Sequence, residues 1–472
     1  MRQAVAWVLV GTACLAAAGS AAAQGRAQTR PEEVFQRSYF FEREIRERLE
    51  ANVPSKQTTL IEYGGFYIPS YSQYTDIDDG MAHVTQQDLR LWLQAQFDEV
   101  HRVFARMKLS YTDYASGDAH GFRAHDLDGP DLDVGYYELD LTAAVDKYGG
   151  QKWPVRIKGR GGRQYVEVGR GIALGDTLDV GSFDVETKDF FFTAFAGRTP
   201  RGRENIDRSA PGYPHSRRTF YGLEAKYRGI ERHEPYYFFV WQRDWSEEKP
   251  QNPGQDYRYS SHYHGIGSRG EVFPSLLYEV ESLWEFGRSP ANGQVGRGDH
   301  IQAYAFDSQL DYYVPCGPKP IVSVEYAYAS GDGDRQSATT AALGSRPGSL
   351  DTGFLGFGYV NSGLALGARF TNIQFVRLGG RITAYENKAS AGRVDVGANL
   401  YWQVKTDHDG PISDARATTT SHDIGKEIDM FVEWRILSDV ALSVHYGRFN
   451  PGGAYVNRDA RDFLFTALTF SF

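Results

Sequence analysis

Long apolar runs are almost absent from the 472 residues. The exception is the N terminus, where Arg2 precedes an apolar run from Ala4 to Ala18 and three alanines end at Ala23. This run is shorter than the roughly 20 apolar residues that a membrane-spanning helix needs. The small residues before Gln24 fit a cleavage site. We therefore expect a secretory signal over residues 1–23 rather than an uncleaved anchor.

Cysteine is also scarce, with 2 in the chain. Cys14 lies inside the expected signal, so its removal leaves Cys316 alone in a proline-rich, turn-like stretch. No intramolecular disulfide can then form. A secreted chain of this length must therefore be held by its own hydrogen bonds or by a membrane.

Positive charge does not predominate, because 51 basic residues face 60 acidic ones. This balance excludes a basic nucleic-acid binder. Mean hydropathy is low at −0.48, yet aromatic residues reach 14%. A membrane β-barrel reconciles these values, since its strands alternate between lipid and a wet lumen and aromatic girdles mark both interfaces. Without helix-length apolar runs, a membrane-spanning chain must form a closed barrel.

Residues 24–57 have a helical period. Thr29 and Glu32 are spaced as a capping box, and an apolar stripe follows. The stripe consists of Val34, Phe41, Ile45 and Leu49. We expect a helix on the periplasmic side. A plug or a partner-docking element remains an alternative, because the apolar stripe of a helix is normally buried against another surface.

From residue 58 onward the period is two. Between Arg393 and Lys405, for example, apolar residues such as Val396 and Trp402 alternate with polar ones such as Asn399. Residues 437–439 join two such segments and predict a tight periplasmic turn. Long polar stretches near residues 112–133, 199–217, 246–257, 287–299, 331–352 and 406–423 predict extracellular loops. These alternating segments predict an all-β transmembrane antiparallel barrel over residues 58–472. The number of residues available for each strand and its loop predicts 18 strands or else 16.

The chain ends in an alternating strand. Leu464, Thr466, Leu468, Phe470 and Phe472 share one face, and Phe472 is the last residue. A terminal aromatic strand of this kind is typical of outer-membrane proteins that the barrel-assembly machinery recognises. We therefore expect that machinery as a partner and the outer membrane as the location.

Several stretches resemble the alginate-export family of outer-membrane channels. They are Asp-Ile-Gly-Lys-Glu-Ile-Asp at 423–429, Gly-Arg-Phe-Asn-Pro-Gly-Gly-Ala-Tyr at 447–455, Asn-Ile-Gln at 372–374, Leu-Gly-Gly at 378–380, Asp-Leu-Arg-Leu-Trp at 88–92 and Val-Gly-Arg at 168–170. The resemblance implies 18 strands and a basic constriction that selects a polyuronate, with Arg90 at one constriction position. The family would place arginines at the positions of Tyr137, Ile172 and Ser443 or His445, and these arginines are absent. The identity of the transported polymer is therefore left open.

Inward positions of the strands supply candidate binding residues. These are Arg90, Arg170, Lys226, Arg369, Arg393, Lys405, Arg435, Glu427 and Asp429. Their mixed signs do not by themselves fix the field at a constriction.

Motifs for covalent chemistry are lacking. The glycines of residues 265–270 match a dinucleotide-binding pattern, but Pro274 interrupts the helix that should follow, so we interpret the stretch as a loop. His262 and His264 could share a strand face and bind a metal, although no third ligand is evident. A pair of lumen carboxylates for glycoside cleavage stays open. We expect no enzyme, cofactor or resident metal.

Three functions remain: a channel that exports an anionic exopolysaccharide such as alginate, a general or solute-specific uptake porin, and, with least support, an outer-membrane enzyme. The expected partners are an acidic polysaccharide or a small anionic solute, outer-membrane lipid and a possible periplasmic secretion partner, but no nucleic acid. We expect a monomer.

Overall fold

The computed structural model describes residues 59–75, 80–114, 125–200, 217–245, 258–290, 298–335, 345–387 and 392–472. Its strands are β1 Thr59–Thr75, β2 Met81–Phe97, β3 His101–Tyr114, β4 His125–Asp140, β5 Arg156–Val168, β6 Leu174–Glu186, β7 Phe190–Arg198, β8 Arg218–Tyr227, β9 His233–Asp244, β10 Ser260–Phe273, β11 Leu276–Ser289, β12 Asp299–Tyr313, β13 Ile321–Ala329, β14 Leu350–Asp351, β15 Ile373–Asn387, β16 Gly392–Val404, β17 Asp423–Arg435, β18 Val440–Pro451 and β19 Arg461–Ser471. One helix, α1, spans Leu141–Gly149.

Eighteen of these strands form one closed antiparallel barrel. Each strand pairs with its neighbour in sequence, β13 pairs with β15, and β1 pairs with both β2 and β19. The two-residue β14 adds a short parallel pairing to β12. The predicted barrel and its strand number of 18 are confirmed. Closure satisfies every strand edge, as a membrane requires.

The terminal strand closes the barrel as its alternation suggests. The amide of Phe472 donates to the Gly65 carbonyl at 3.1 Å, and the Gly65 amide donates to the Phe472 carbonyl at 2.8 Å. The ring of Phe472 is exposed on the outside. The last residue therefore belongs to the seam between β19 and β1.

Apolar residues face outward along the strands, and many of the inward residues are polar. On β16, Trp402 is exposed while Asn399 and Gln403 are buried. On β2, Leu91 is exposed while Asp88 is buried. This arrangement inverts that of a soluble protein, and it is the arrangement expected of a barrel with lipid outside and a polar interior.

Most of the short turns lie at one end of the barrel and most of the long connections at the other. Residues 437–439 form the predicted tight turn, in which the Ile436 amide donates to the Val440 carbonyl at 2.9 Å. The loop predicted at 112–133 is too long, because residues 112–114 belong to β3 and residues 125–133 belong to β4. The polar residues there continue the β3–β4 ladder through two register shifts.

The glycine-rich stretch 265–270 is not a loop, because it lies within β10. A Cβ at Gly265 would lie 2.1 Å from the Phe238 ring, and one at Gly267 would lie 2.3 Å from the Tyr236 ring. The glycines therefore make room for inward aromatic rings of β9, which gives them a packing role in a strand.

Helix α1 lies in the connection between β4 and β5. Asp140 caps its first turn by accepting from the Ala143 amide at 2.9 Å, and Gly150 ends it in the left-handed conformation with φ 64°. Lys147 donates to Asp98 of the β2–β3 turn at 3.2 Å. No helix in the described ranges is long and apolar enough to cross a membrane. The predicted signal and the predicted helix within 24–57 lie outside those ranges.

Candidate functional site

A segment of the β13–β15 connection, residues 352–372, runs through the interior of the barrel. Its apolar side chains are buried, and they pack against inward residues of several strands. Those side chains are Phe354, Leu355, Phe357, Val360, Leu364, Ala365, Leu366, Ala368 and Phe370. A glycine-rich apolar segment inside a wet lumen narrows the passage, and we call it the infolded segment.

A second, shorter connection meets the infolded segment from the opposite wall. Residues 169–173, between β5 and β6, turn inward, where Ile172 and Ala173 are buried. The Phe357 amide donates to the Ala173 carbonyl at 3.0 Å. A Cβ at Gly358 would lie 1.5 Å from the Gly171 carbonyl oxygen. The two backbones therefore touch at a point that only glycine permits.

Lumen carboxylates anchor the infolded segment by accepting its backbone amides. Glu427 accepts from the Ala365 and Leu366 amides, the latter at 2.9 Å. Asp429 accepts from the Leu364 amide at 3.2 Å. Across the barrel, Glu285 of β11 accepts from the Leu355 amide at 2.8 Å. Carboxylates suit this task because each oxygen accepts and charge strengthens the bond.

Carboxylates also hold the β5–β6 connection. Glu281 accepts from the Arg170 amide at 2.8 Å, and Glu224 accepts from the Gly169 amide at 3.0 Å. The Arg170 guanidinium lies 3.0 Å from Asp307 and 2.9 Å from Glu279. The connection is thus fixed to strands β8, β11 and β12.

The inner face of β2–β5 carries a concentration of basic side chains, which we call the basic wall. It consists of Arg90, Arg102, Arg106, Lys108, Lys158 and Arg160. These six contact the three carboxylates of Asp88, Asp133 and Glu138. Asp131 stands opposite Lys108 in the β3–β4 ladder and Asp140 is buried on the same face, so carboxylates are interleaved with the cations.

Individual contacts in the basic wall are close. Arg90 lies 3.2 Å from Asp88 and 3.7 Å from Asp133, and Arg106 lies 2.6 Å from Asp133. The guanidinium of Arg160 lies 5.1 Å from the centre of the Tyr136 ring. These partners hold extended basic side chains at fixed positions on the wall.

The other predicted lumen residues are scattered. Lys226 lies 2.9 Å from Glu224, and Arg393 lies 2.8 Å from Asp395 and opposite Arg435 in the β16–β17 ladder. Arg369 is buried in the infolded segment, where its amide donates to Ser413 at 2.7 Å.

Lys405 lies beyond the end of β16, in an extracellular loop. Its amine donates to the Thr419 carbonyl at 2.8 Å, and burial lowers its pKa. Of the nine predicted residues, only Arg90 belongs to the basic wall.

Sequence reasoning missed five members of the basic wall, although their spacing was visible. Arg102, Arg106 and Lys108 are separated by even numbers of residues, as are Lys158 and Arg160, so each set shares one face of its strand. Of the positions where the family would have arginine, Tyr137 faces outward and is exposed, while Ile172 lies in the inward β5–β6 connection.

Metal-ligating groups do not coincide with the basic wall. In the described ranges, Asp407, His408 and Asp409 bring potential ligand atoms within 4.8 Å of one another, in an extracellular loop where two of the three are exposed. His262 and His264 do share a face of β10, and that face points outward.

The sequence matches the family model described as alginate export over residues 77–465. No curated protein matches it at a significant level. Solved barrels share the fold at low identity. Pseudomonas aeruginosa OccK5 (OpdH) superposes with a TM-score of 0.54 and 12% identity, over 87% of this chain and 98% of its own.

OccK2 (OpdF) of the same species was solved in complex with glucuronate. It superposes with a TM-score of 0.52 and 12% identity, over 88% of this chain and 99% of its own. A BenF-like porin from Pseudomonas fluorescens Pf-5 superposes with a TM-score of 0.51 and 11% sequence identity, over 87% of this chain and 98% of its own. The family match covers most of the chain, and the fold is that of outer-membrane channels rather than enzymes. This chain therefore belongs to the alginate export family of outer-membrane channels.

Proposed function

We propose that this channel exports an anionic polysaccharide rich in uronic acids along the basic wall. The observation that carries the proposal is the row of six inward basic side chains on β2–β5, in a member of the alginate export family. Inside a low-dielectric barrel, closely spaced cations produce a large local potential, because field lines are focused along the lumen.

The carboxylates beside these cations suit passage rather than tight binding. Glu138 shares its charge among Arg102, Lys158 and Arg160, so each cation keeps part of its attraction for a ligand carboxylate. Conduction requires favourable entry and easy release at several sites. A polyanion would then exchange one weak contact for the next along the wall.

Uptake of a small anionic solute is the second candidate. OccK2, which binds glucuronate, shares the barrel fold, and the infolded segment narrows this lumen. The two candidate functions differ in the length of the transported ligand, which is a single sugar acid for uptake and a polymer of sugar acids for export. The family match supports export of the polymer.

The test is single-channel conductance in a planar bilayer, with oligouronates of increasing length or free glucuronate added to one side. Export predicts block that strengthens with chain length, since a longer polymer contacts more of the basic wall. Arg90→Gln should weaken the block, while Lys426→Gln on the outward face of β17 should leave it intact. Block by glucuronate alone, with no gain from longer chains, would favour the uptake porin.

A further inference from the structure

The outward surface of β9–β12 carries basic side chains near the end with the long connections. His262 and His264 lie on the outward face of β10. Arg288 of β11 stands between Ser260 of β10 and His300 of β12 in the ladder. These residues lie within a few positions of the 246–257 and 290–298 connections, and therefore close to the outer surface of the membrane.

Aromatic rings lie directly beneath this row. The Phe286 ring centre is 5.6 Å from that of His262, and the Phe239 ring centre is 5.1 Å from that of His264. Trp241 and Trp284 are exposed on the same outward surface. Outward aromatic rings mark the membrane interface of a barrel. The basic row therefore lies at headgroup depth in the outer leaflet.

In the part of the chain that the structure describes, no carboxylate lies on the outward face beside Arg288, and Asp299, which precedes His300, is buried on the inward side. Outward positions 239–243, 260–264, 284–288 and 300–304 include no acidic residue. Within the described ranges, the Arg288 side chain has no hydrogen-bond or ion-pair partner. Elsewhere on the same rim, Arg448 of β18 is paired with Asp462 at 3.0 Å. The difference indicates that Arg288 is available to an external anion.

A groove of about 420 Å³ runs between these side chains. Trp241, Ser260, His262, Phe286, Arg288 and His300 contribute to its lining. We propose that the groove binds the phosphorylated glycolipid of the outer leaflet. Its phosphates contact Arg288 and His300, and its acyl chains lie along Trp284 and Phe239. The Arg288 cation and the histidine side chains above an apolar aromatic surface complement an amphiphile with phosphate at its head.

Native mass spectrometry of the detergent-solubilised barrel, titrated with bisphosphorylated lipid A, tests the proposal. Removing both contacts in Arg288→Gln/His300→Gln should reduce the retained lipid about tenfold, as expected for lost charge-assisted hydrogen bonds. Arg448→Gln, whose native arginine is already paired, should retain lipid as the wild type does. Retention by the double variant equal to that of the wild type would overturn the proposal.

A second measurement needs no variant. The wild-type barrel should retain dephosphorylated lipid A and phosphatidylglycerol far less than bisphosphorylated lipid A, because the groove recognises phosphates carried on a sugar headgroup. Equal retention of all three lipids would show general detergent-like adsorption and overturn the assignment. Migration on a gel before and after boiling confirms that each variant is folded.

Discussion

The two sides of this lumen use charge for different purposes. On β11 and β17, Glu285 and Glu427 accept backbone amides of the infolded segment. On β2–β5, the six cations of the basic wall share carboxylates such as Asp133 and Glu138. The difference follows from hydrogen-bonding chemistry, since a carboxylate can accept amide protons but a guanidinium can only donate. Acidic residues therefore hold the infolded segment in place, and under the proposed function the basic residues attract the anionic polymer.

The largest expected effect comes from the acidic side. Glu427→Gln should weaken the two bonds to the Ala365 and Leu366 amides, at a cost of about 3 kcal/mol or more, and so release the infolded segment. Single-channel conductance should rise severalfold.

Glu433→Gln is the matched control, because Glu433 faces inward on the same strand but contacts Ser443 and His445 instead. Its conductance should stay near that of the wild type. Equal conductance for wild type and Glu427→Gln would mean that this carboxylate does not set the width.

A smaller effect should follow from crowding the contact between the two inward connections. Gly358→Ala places a Cβ against the Gly171 carbonyl, and overpacking of this kind costs about 1–3 kcal/mol. The temperature at which the folded gel band is lost should fall. Gly317→Ala, where nothing lies within 4 Å of the added Cβ, should have no such effect. If Gly358→Ala and Gly317→Ala lost the folded band at the same temperature, the contact between the two inward connections would not contribute to the stability of the barrel.

The smallest effect concerns an acidic group above the lumen. Burial raises the pKa of Asp332 to about 6, and Asp351 and Asp334 add to the rise. An aspartate in an unfolded chain titrates near pH 3.9. The folded loop therefore holds a proton that the unfolded chain releases, and this stabilisation is full below about pH 4 and lost as pH rises through about 6.

Hydrogen exchange of the amides in 330–335, corrected for intrinsic rates, should therefore show weaker protection above pH 6 than at pH 4. Asp332→Asn should abolish the pH dependence. Protection that strengthens with pH would contradict the assigned direction of the pKa shift.

The barrel could be predicted from sequence because its signal is local. Alternation along a strand depends only on which face meets lipid, and Trp402 and Asn399 reveal it within four residues. The terminal strand ending at Phe472 could be read for the same reason. The β3–β4 extension was missed because polar residues in a ladder that reaches beyond the membrane look like a loop.

The interior could not be predicted in the same way. Glu427 reads as an inward charge, but its amide partners at Ala365 and Leu366 lie some 60 residues earlier in the chain. Residues 352–372 have no strand or helix period, so nothing local marks them as infolded. The partner of each charged residue in the lumen depends on contacts across the barrel, and the periodicity of the sequence carries no information about those contacts.

The central claim is that the basic wall gives the channel its preference for anions. The most direct measurement is the reversal potential in a planar bilayer under a potassium chloride gradient, for wild type, Arg106→Gln/Arg160→Gln and Arg163→Gln. Arg163 is a control because it pairs with Asp179 at 2.8 Å and lies outside the basic wall. The account predicts anion preference in wild type and Arg163→Gln and a large loss of it in the double variant. Cation preference in the wild type, or an unchanged potential in the double variant, would contradict it.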